Sequence, residues 1–296
     1  MIGQPQYATV NALLHHRFAE RRPLVAVHRG TGLGMIVENT VPAVTAALRS
    51  GADMVEIDIV ESTDGDYFVF HEGYEPLQFG FDRVLSTLST TEIEALTYGL
   101  RVAGPRIRIE RLETVLRTFP GVLFNVDRSW AYWERLLPWL DGLAIAEQLT
   151  LKSTADDESL AILRAHPVKY PLIVFAHHPT DIDKVAADSG INLVGAELLA
   201  PSASHVFCDP DYVASLQEQG LLVYVNALDL GNGDTLMAGW DDTQSVLGDP
   251  DEGWGRLVTL GADVIQTDWP ALLNAYLGRE LPPAGRRQRA SQQDLR

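Results

Sequence analysis

Eight short apolar runs, rich in β-branched residues, recur along the chain with amphipathic stretches between them. They are LVAVH (24–28), MVEIDIV (54–60), VLFNVD (122–127), LTLKS (149–153), LIVFAH (172–177), LVGAEL (193–198), LVYVNAL (222–228) and DVIQTD (263–268). Near-continuous apolar runs of this length predict parallel strands covered on both faces. The stretches between them carry helix signals. VPAVTAALRSG ends on Gly51, DDESLAILRAH opens on acids, and DPDYVASLQEQG places Pro210 near its first helical position. Eight such units in 296 residues predict a (β/α)₈ TIM barrel. An open doubly wound sheet is the alternative, but no glycine-rich dinucleotide loop follows the first strand.

Residues 23–281 are expected to form the barrel domain, after an N-terminal segment over 1–22 and before a loose polar tail over 282–296. Two regions break the alternation. Residues 72–105 are too long for a simple loop, and within them STTEIEAL predicts a short helix with a Ser/Thr cap ahead of Glu92. Residues 229–253 are rich in glycine and aspartate and follow a strand, where a barrel keeps its active-site loops.

The formal charge of −17 repels nucleic acid and anionic membranes. A small anionic substrate would then need a local cation. No run approaches the roughly 18 apolar residues of a membrane span. The first residues carry no apolar signal core, so no secretion signal is expected. Cys208 is the sole cysteine, which excludes an internal disulfide and a cysteine metal cluster, and fits a cytoplasmic setting.

Candidate chemistry gathers at strand ends. Glu56 and Asp58 are two apart on one strand, so both face the same way. Two buried carboxylates repel each other, and a hard divalent cation such as Mg²⁺ or Ca²⁺ relieves this. A solvated strand end or polar neighbours would serve as well. His28, followed by Arg29, and His71 each close an apolar run, on either side of that pair in sequence. Histidine titrates near neutrality and suits proton transfer. Asn125 and Asp127 are again two apart, and Asp127 could complete a three-carboxylate cage or cap the helix after it. Glu197 lies inside an apolar run, as a site residue or paired. His177, His178, Tyr224 and Trp269 are weaker candidates for the mouth.

This pattern resembles the glycerophosphodiester phosphodiesterase family, within the superfamily of phosphodiesterases similar to phosphatidylinositol-specific phospholipase C. The matching residues are HRG (28–30), ENT (38–40), GADMVEIDI (51–59), FVFH (68–71) and the closing GADVIQTDWP (261–270). The likeness spans about residues 24–278. It implies a TIM barrel that hydrolyses a small phosphodiester. Glu56, Asp58 and Asp127 would hold one divalent cation, Arg29 the phosphate, and His28 and His71 would be the acid/base pair. Related enzymes on this barrel include phospholipase D toxins, and attack by a substrate hydroxyl would give a cyclic phosphate. A non-catalytic barrel that binds a phosphorylated ligand is the alternative from another class.

The chain departs from the family pattern at Val37 for proline, Glu72 for aspartate, and Asp127-Arg128-Ser129 for Glu-x-Lys. Lys152, on the next strand, is the candidate to replace the missing lysine at the phosphate. The sequence leaves oligomeric state open.

Overall fold

The computed structural model describes residues 2–99 and 107–282. Ten strands are present among them: β1 Leu24–Val27, β2 Met54–Glu61, β3 Tyr67–Val69, β4 Glu110–Arg111, β5 Leu123–Asp127, β6 Leu149–Ser153, β7 Leu172–Ala176, β8 Leu193–Leu198, β9 Leu222–Asn226 and β10 Val264–Thr267. Eight of them, all but β3 and β4, pair in parallel in the order β1-β2-β5-β6-β7-β8-β9-β10, and β10 pairs back onto β1. The ring is therefore a closed (β/α)₈ barrel, and its eight strands fall on the eight apolar runs.

Alternation along each strand sorts the side chains into two cores. Val25, Val55, Phe124, Val126 and Val223 point outward and pack against the surrounding helices. Leu24, Met54, Leu123, Ile173, Leu222 and Val264 point inward and fill the lower barrel. Helix Ala12–Glu20 closes that end by inserting Leu14 and Phe18 into the same cluster. Two copies of Gly-Ala-Asp peg the strand register. The Val25 N–H donates to Asp53 Oδ2 at 3.0 Å and the Val223 N–H to Asp263 Oδ2 at 2.9 Å.

Going up the inner face, the residues turn from apolar to polar. Met54 gives way to Glu56 and Asp58, Leu123 to Asn125 and Asp127, and Tyr224 to Asn226. The carboxylates of these inner faces thereby gather at the C-terminal mouth, where this fold keeps its sites.

The insertion begins when β2 runs on past the barrel and pairs antiparallel with β3, which pairs in turn with β4. Short helices at Glu75–Phe79 and Thr90–Ala95 lie between them. The second carries the expected cap: the Ser89 N–H donates to Glu92 Oε2 at 2.9 Å, and the Glu92 N–H to Ser89 Oγ at 3.3 Å. Residues 100–106 of the insertion, and the expected tail from residue 283 on, lie outside the described residues.

The stretch over 229–253 is less loop-like than its composition suggests. Helix Asp242–Leu247 forms there, capped by Asp241, whose Oδ1 accepts the Gln244 N–H at 2.8 Å, and helix Trp254–Leu260 follows. Among the described residues, no helix is long and apolar enough to cross a membrane.

Candidate active site

After Val27 the chain makes a tight turn over His28–Gly30, with Arg29 at φ 52° and Gly30 at φ 69°. The left-handed region is uncommon for a non-glycine residue and is held where surroundings over-determine it. Here the turn aims the Arg29 N–H at Glu56 Oε2, 2.8 Å away. A side chain at Gly30 would be strained, both by the positive φ and because its Cβ would sit 3.0 Å from the Val44 backbone nitrogen. Thr31, Asn39 and Arg128 also have positive φ, so strain concentrates around the mouth.

Each letter of Glu38-Asn39-Thr40 has its own task. Glu38 Oε1 accepts from Arg29 Nη1 at 3.0 Å. Asn39 grips Asp58 twice, donating from Nδ2 to Oδ2 at 2.9 Å and accepting the Asp58 N–H at 3.2 Å. Thr40 caps helix Val41–Arg49 by accepting the Ala43 N–H at 3.2 Å. Val37, the departure just before them, is buried with Val60, Phe68 and Phe70 and ties the loop to the insertion.

Glu56, Asp58 and Asp127 converge. One oxygen from each lies within 4.8 Å of the others, so Asp127 joins the cluster instead of capping a helix. Register explains it, since Asp58 lies beside Asp127 across the β2–β5 pair. Burial raises the Glu56 pKa well above the usual carboxylate range, and the neighbouring Asp58 and Asp127 charges push it further. Three oxygen donors under mutual repulsion are a donor set that fits a hard divalent cation.

Burial alone would depress Arg29, but Asp58, Glu38 and Glu56 outweigh it and keep the guanidinium charged. It lies 4.5 Å from the centre of the Tyr74 ring, on which the His71 ring also rests edge-on at 4.8 Å. Burial pushes His71 down to about 4, against a smaller upward pull from Asp58, so its imidazole is neutral at pH 7. His28 Nδ1 lies 3.0 Å from Asp268 Oδ1. Asp268 is set by Asp242, whose carboxylate accepts the Asp268 N–H at 2.8 Å and the Thr267 hydroxyl at 2.7 Å.

Lys152 is buried beneath Asp127. Its Nζ lies 2.6 Å from Glu197 Oε2 and 3.5 Å from Asp127 Oδ2, above the rings of Phe175 and Tyr224. Burial lowers a lysine pKa, yet Glu197, with Tyr224, Asp127 and Glu56, reverses the sign and raises it. Ser129, at the place of the family's lysine, accepts from Trp133 Nε1 at 3.0 Å and is structural. Glu72 accepts from the Ser86 hydroxyl and anchors the insertion.

All seven sequence candidates, His28, Arg29, Glu56, Asp58, His71, Asp127 and Lys152, line one cavity of about 280 Å³. Hollows of about 530 and 540 Å³ lie elsewhere but hold none of these groups, so chemistry and not size marks the site. Glu197 is both in the cavity and paired. His177, His178 and Trp269 do not line it, and Tyr224 is core, buried under Lys152. Asp268 and Tyr74 join the site without a role assigned from sequence; the closing Thr-Asp-x-Pro is the signal for the first, and only the tertiary fold shows the second.

A family model described only as a domain of unknown function matches residues 177–277. No curated protein matches the chain. Among solved structures it is similar to a glycerophosphoryl diester phosphodiesterase from Parabacteroides distasonis, at 16% identity and TM-score 0.70, over 93% of this chain and 94% of that one. A glycerophosphodiester phosphodiesterase from Thermotoga maritima matches at 18% and 0.63, over 86% of this chain and 99% of that one. An Oleispira antarctica phosphodiesterase in complex with the product sn-glycerol-3-phosphate matches at 17% and 0.60, over 88% and 99%. The chain thus shares the barrel fold of these phosphodiesterases along nearly its whole length.

Proposed function

We propose that this protein is a metal-dependent phosphodiesterase of the glycerophosphodiester phosphodiesterase type, which hydrolyses a glycerophosphodiester or related small phosphodiester to an alcohol and a phosphomonoester. One observation carries the reading: a carboxylate trio, a buried arginine and two histidines meet in a single cavity. The fold shared with the solved phosphodiesterases supports it.

Glu56, Asp58 and Asp127 would hold Mg²⁺ or Ca²⁺, which supplies positive charge to the phosphate oxygens. Arg29, already charged and fixed by Glu38, binds the phosphate and stabilises charge developing on its equatorial oxygens. Lys152 adds charge from below Asp127. His71, neutral near pH 7, accepts a proton from the attacking water. His28, held by Asp268, delivers a proton to the departing oxygen. One P–O bond forms to the attacking oxygen and one breaks to the alcohol. The acidic surface repels nucleic acid, and the single cysteine suits a cytoplasmic setting.

The test is turnover of bis(p-nitrophenyl) phosphate before and after EDTA. The reading expects activity that EDTA removes and Mg²⁺ or Ca²⁺ restores. Activity that persists in EDTA, or none with any divalent cation, overturns it. Phosphorus NMR of the product separates hydrolysis from release of a cyclic phosphate.

A further inference from the structure

The cavity has two unlike sides. The acid trio, Arg29 and His28 come from β1, β2 and β5, His71 from just past β3, and the Lys152–Glu197 pair of β6 and β8 lies beneath. Opposite, the ends of β7, β8 and β9 raise Phe175, Leu199, Leu228, Leu230 and Leu236, and Trp130 meets Phe175 edge-on at 6.0 Å. Most polar groups below this wall are engaged with one another: Asn226 Nδ2 donates to Glu197 Oε1 at 2.6 Å, Glu197 also holds Lys152, and the Tyr224 hydroxyl donates to Gln266, which leaves Asn226 Oδ1 at the floor as an acceptor without a partner among the described residues. A polyhydroxylated arm laid here would set its hydroxyls against carbon, whereas an alkyl arm would cover carbon with carbon.

We infer that one of the two alcohols esterified to the phosphate is apolar, an alkyl arm seated against Phe175, Leu199 and Leu236 and leaving the cavity past Leu230. The inference rests on the phosphodiesterase reading of the same site and adds the substrate class. About 280 Å³ is room for roughly nine water-sized groups at ~30 Å³ each, which the phosphate and both alcohols must share. Only a few carbons fit inside, so a longer chain runs outward. Leu230, 40% exposed at the end of the wall, stands where such a chain would leave. An isolated exposed leucine is unremarkable, but this one continues an apolar surface that begins beside the catalytic groups.

The experiment compares hexyl phosphocholine with glycerophosphocholine at saturating Mg²⁺ or Ca²⁺, counting all phosphomonoester formed. The expected kcat/KM for the hexyl ester is about tenfold or more above that for the glycerol ester. Leu236→Ser should bring the ratio close to unity. Leu230→Ser, at an exposed position that tolerates polarity, should lower it by about threefold at unchanged melting temperature. Equal or better turnover of the glycerol ester, with cleavage still sensitive to EDTA, overturns the alkyl arm and leaves the phosphodiesterase reading standing. A ratio unmoved by both substitutions does the same. Failure to cleave either ester with any divalent cation overturns both.

Discussion

The two sides of the barrel mouth are built on different rules. The side from β1, β2 and β5 is charged and locally strained, with Arg29, Asn39 and Arg128 all at positive φ. Its charged groups are held by neighbours, as Arg29 is by Glu38 and Asp58 by Asn39, whereas the buried Nδ1 of His71 has no partner among the described residues. The side from β7, β8 and β9 is mostly leucine and aromatic carbon over one buried ion pair. The first is pre-organised for charge. The second sets shape and polarity, and can change by a residue at a time without touching the acids.

The sharpest way to break that contrast is at the histidines. His71→Ala and His28→Ala should each lower kcat by about 10²–10⁴-fold, with circular dichroism and melting temperature close to the parent. Full activity in either variant on the true substrate removes that residue from the acid/base pair.

Next in size is Lys152→Met, which tests the ion pair under the apolar side. It leaves Glu197 buried without its cation, and stability should fall by about 3–5 kcal/mol. Urea unfolding reads the effect. Lys152→Met/Glu197→Gln should recover much of the loss, since the uncompensated charge is then gone. A single variant as stable as the parent would mean that the pair carries no structural weight.

The smallest effect is the pH dependence of the charged side. A histidine whose pKa is lowered stays neutral as pH falls through 6.5 and takes its proton only near about 4. As a general base, His71 should therefore keep working at pH 5.5, where an ordinary imidazole would be about nine-tenths protonated. The acid limb of kcat/KM should lie clearly below 6.5. A limb at 6.5 or above contradicts the buried, neutral ring.

These differences also decide what could be read from the sequence. The eight strands were legible because inward and outward positions are both apolar low in the barrel, so each strand is a continuous run. The acid trio was legible because Glu56 and Asp58 share a face by period two and Asp127 lies beside Asp58 in register. Asp268 escaped assignment because its partner His28 is 240 positions away, a distance at which local spacing carries no information. Tyr74 sits in the insertion, and nothing in its neighbours predicts that Arg29 and His71 share its ring. The leucine wall is invisible for a similar reason, because Leu199, Leu228 and Leu236 come from separate turns of the chain. The helix over Asp242–Leu247 was hidden by glycine and aspartate around it, although Asp241 is an ordinary capping residue.

The central claim is that Glu56, Asp58 and Asp127 hold one divalent cation. A crystal grown with Mn²⁺ and measured for anomalous scattering tests it most directly. The account predicts a single strong peak within coordination distance of one oxygen from each of the three carboxylates, lost in Asp58→Asn. A Mn²⁺ peak elsewhere with none at the trio, or a trio whose oxygens have moved apart under saturating Mn²⁺, would contradict it.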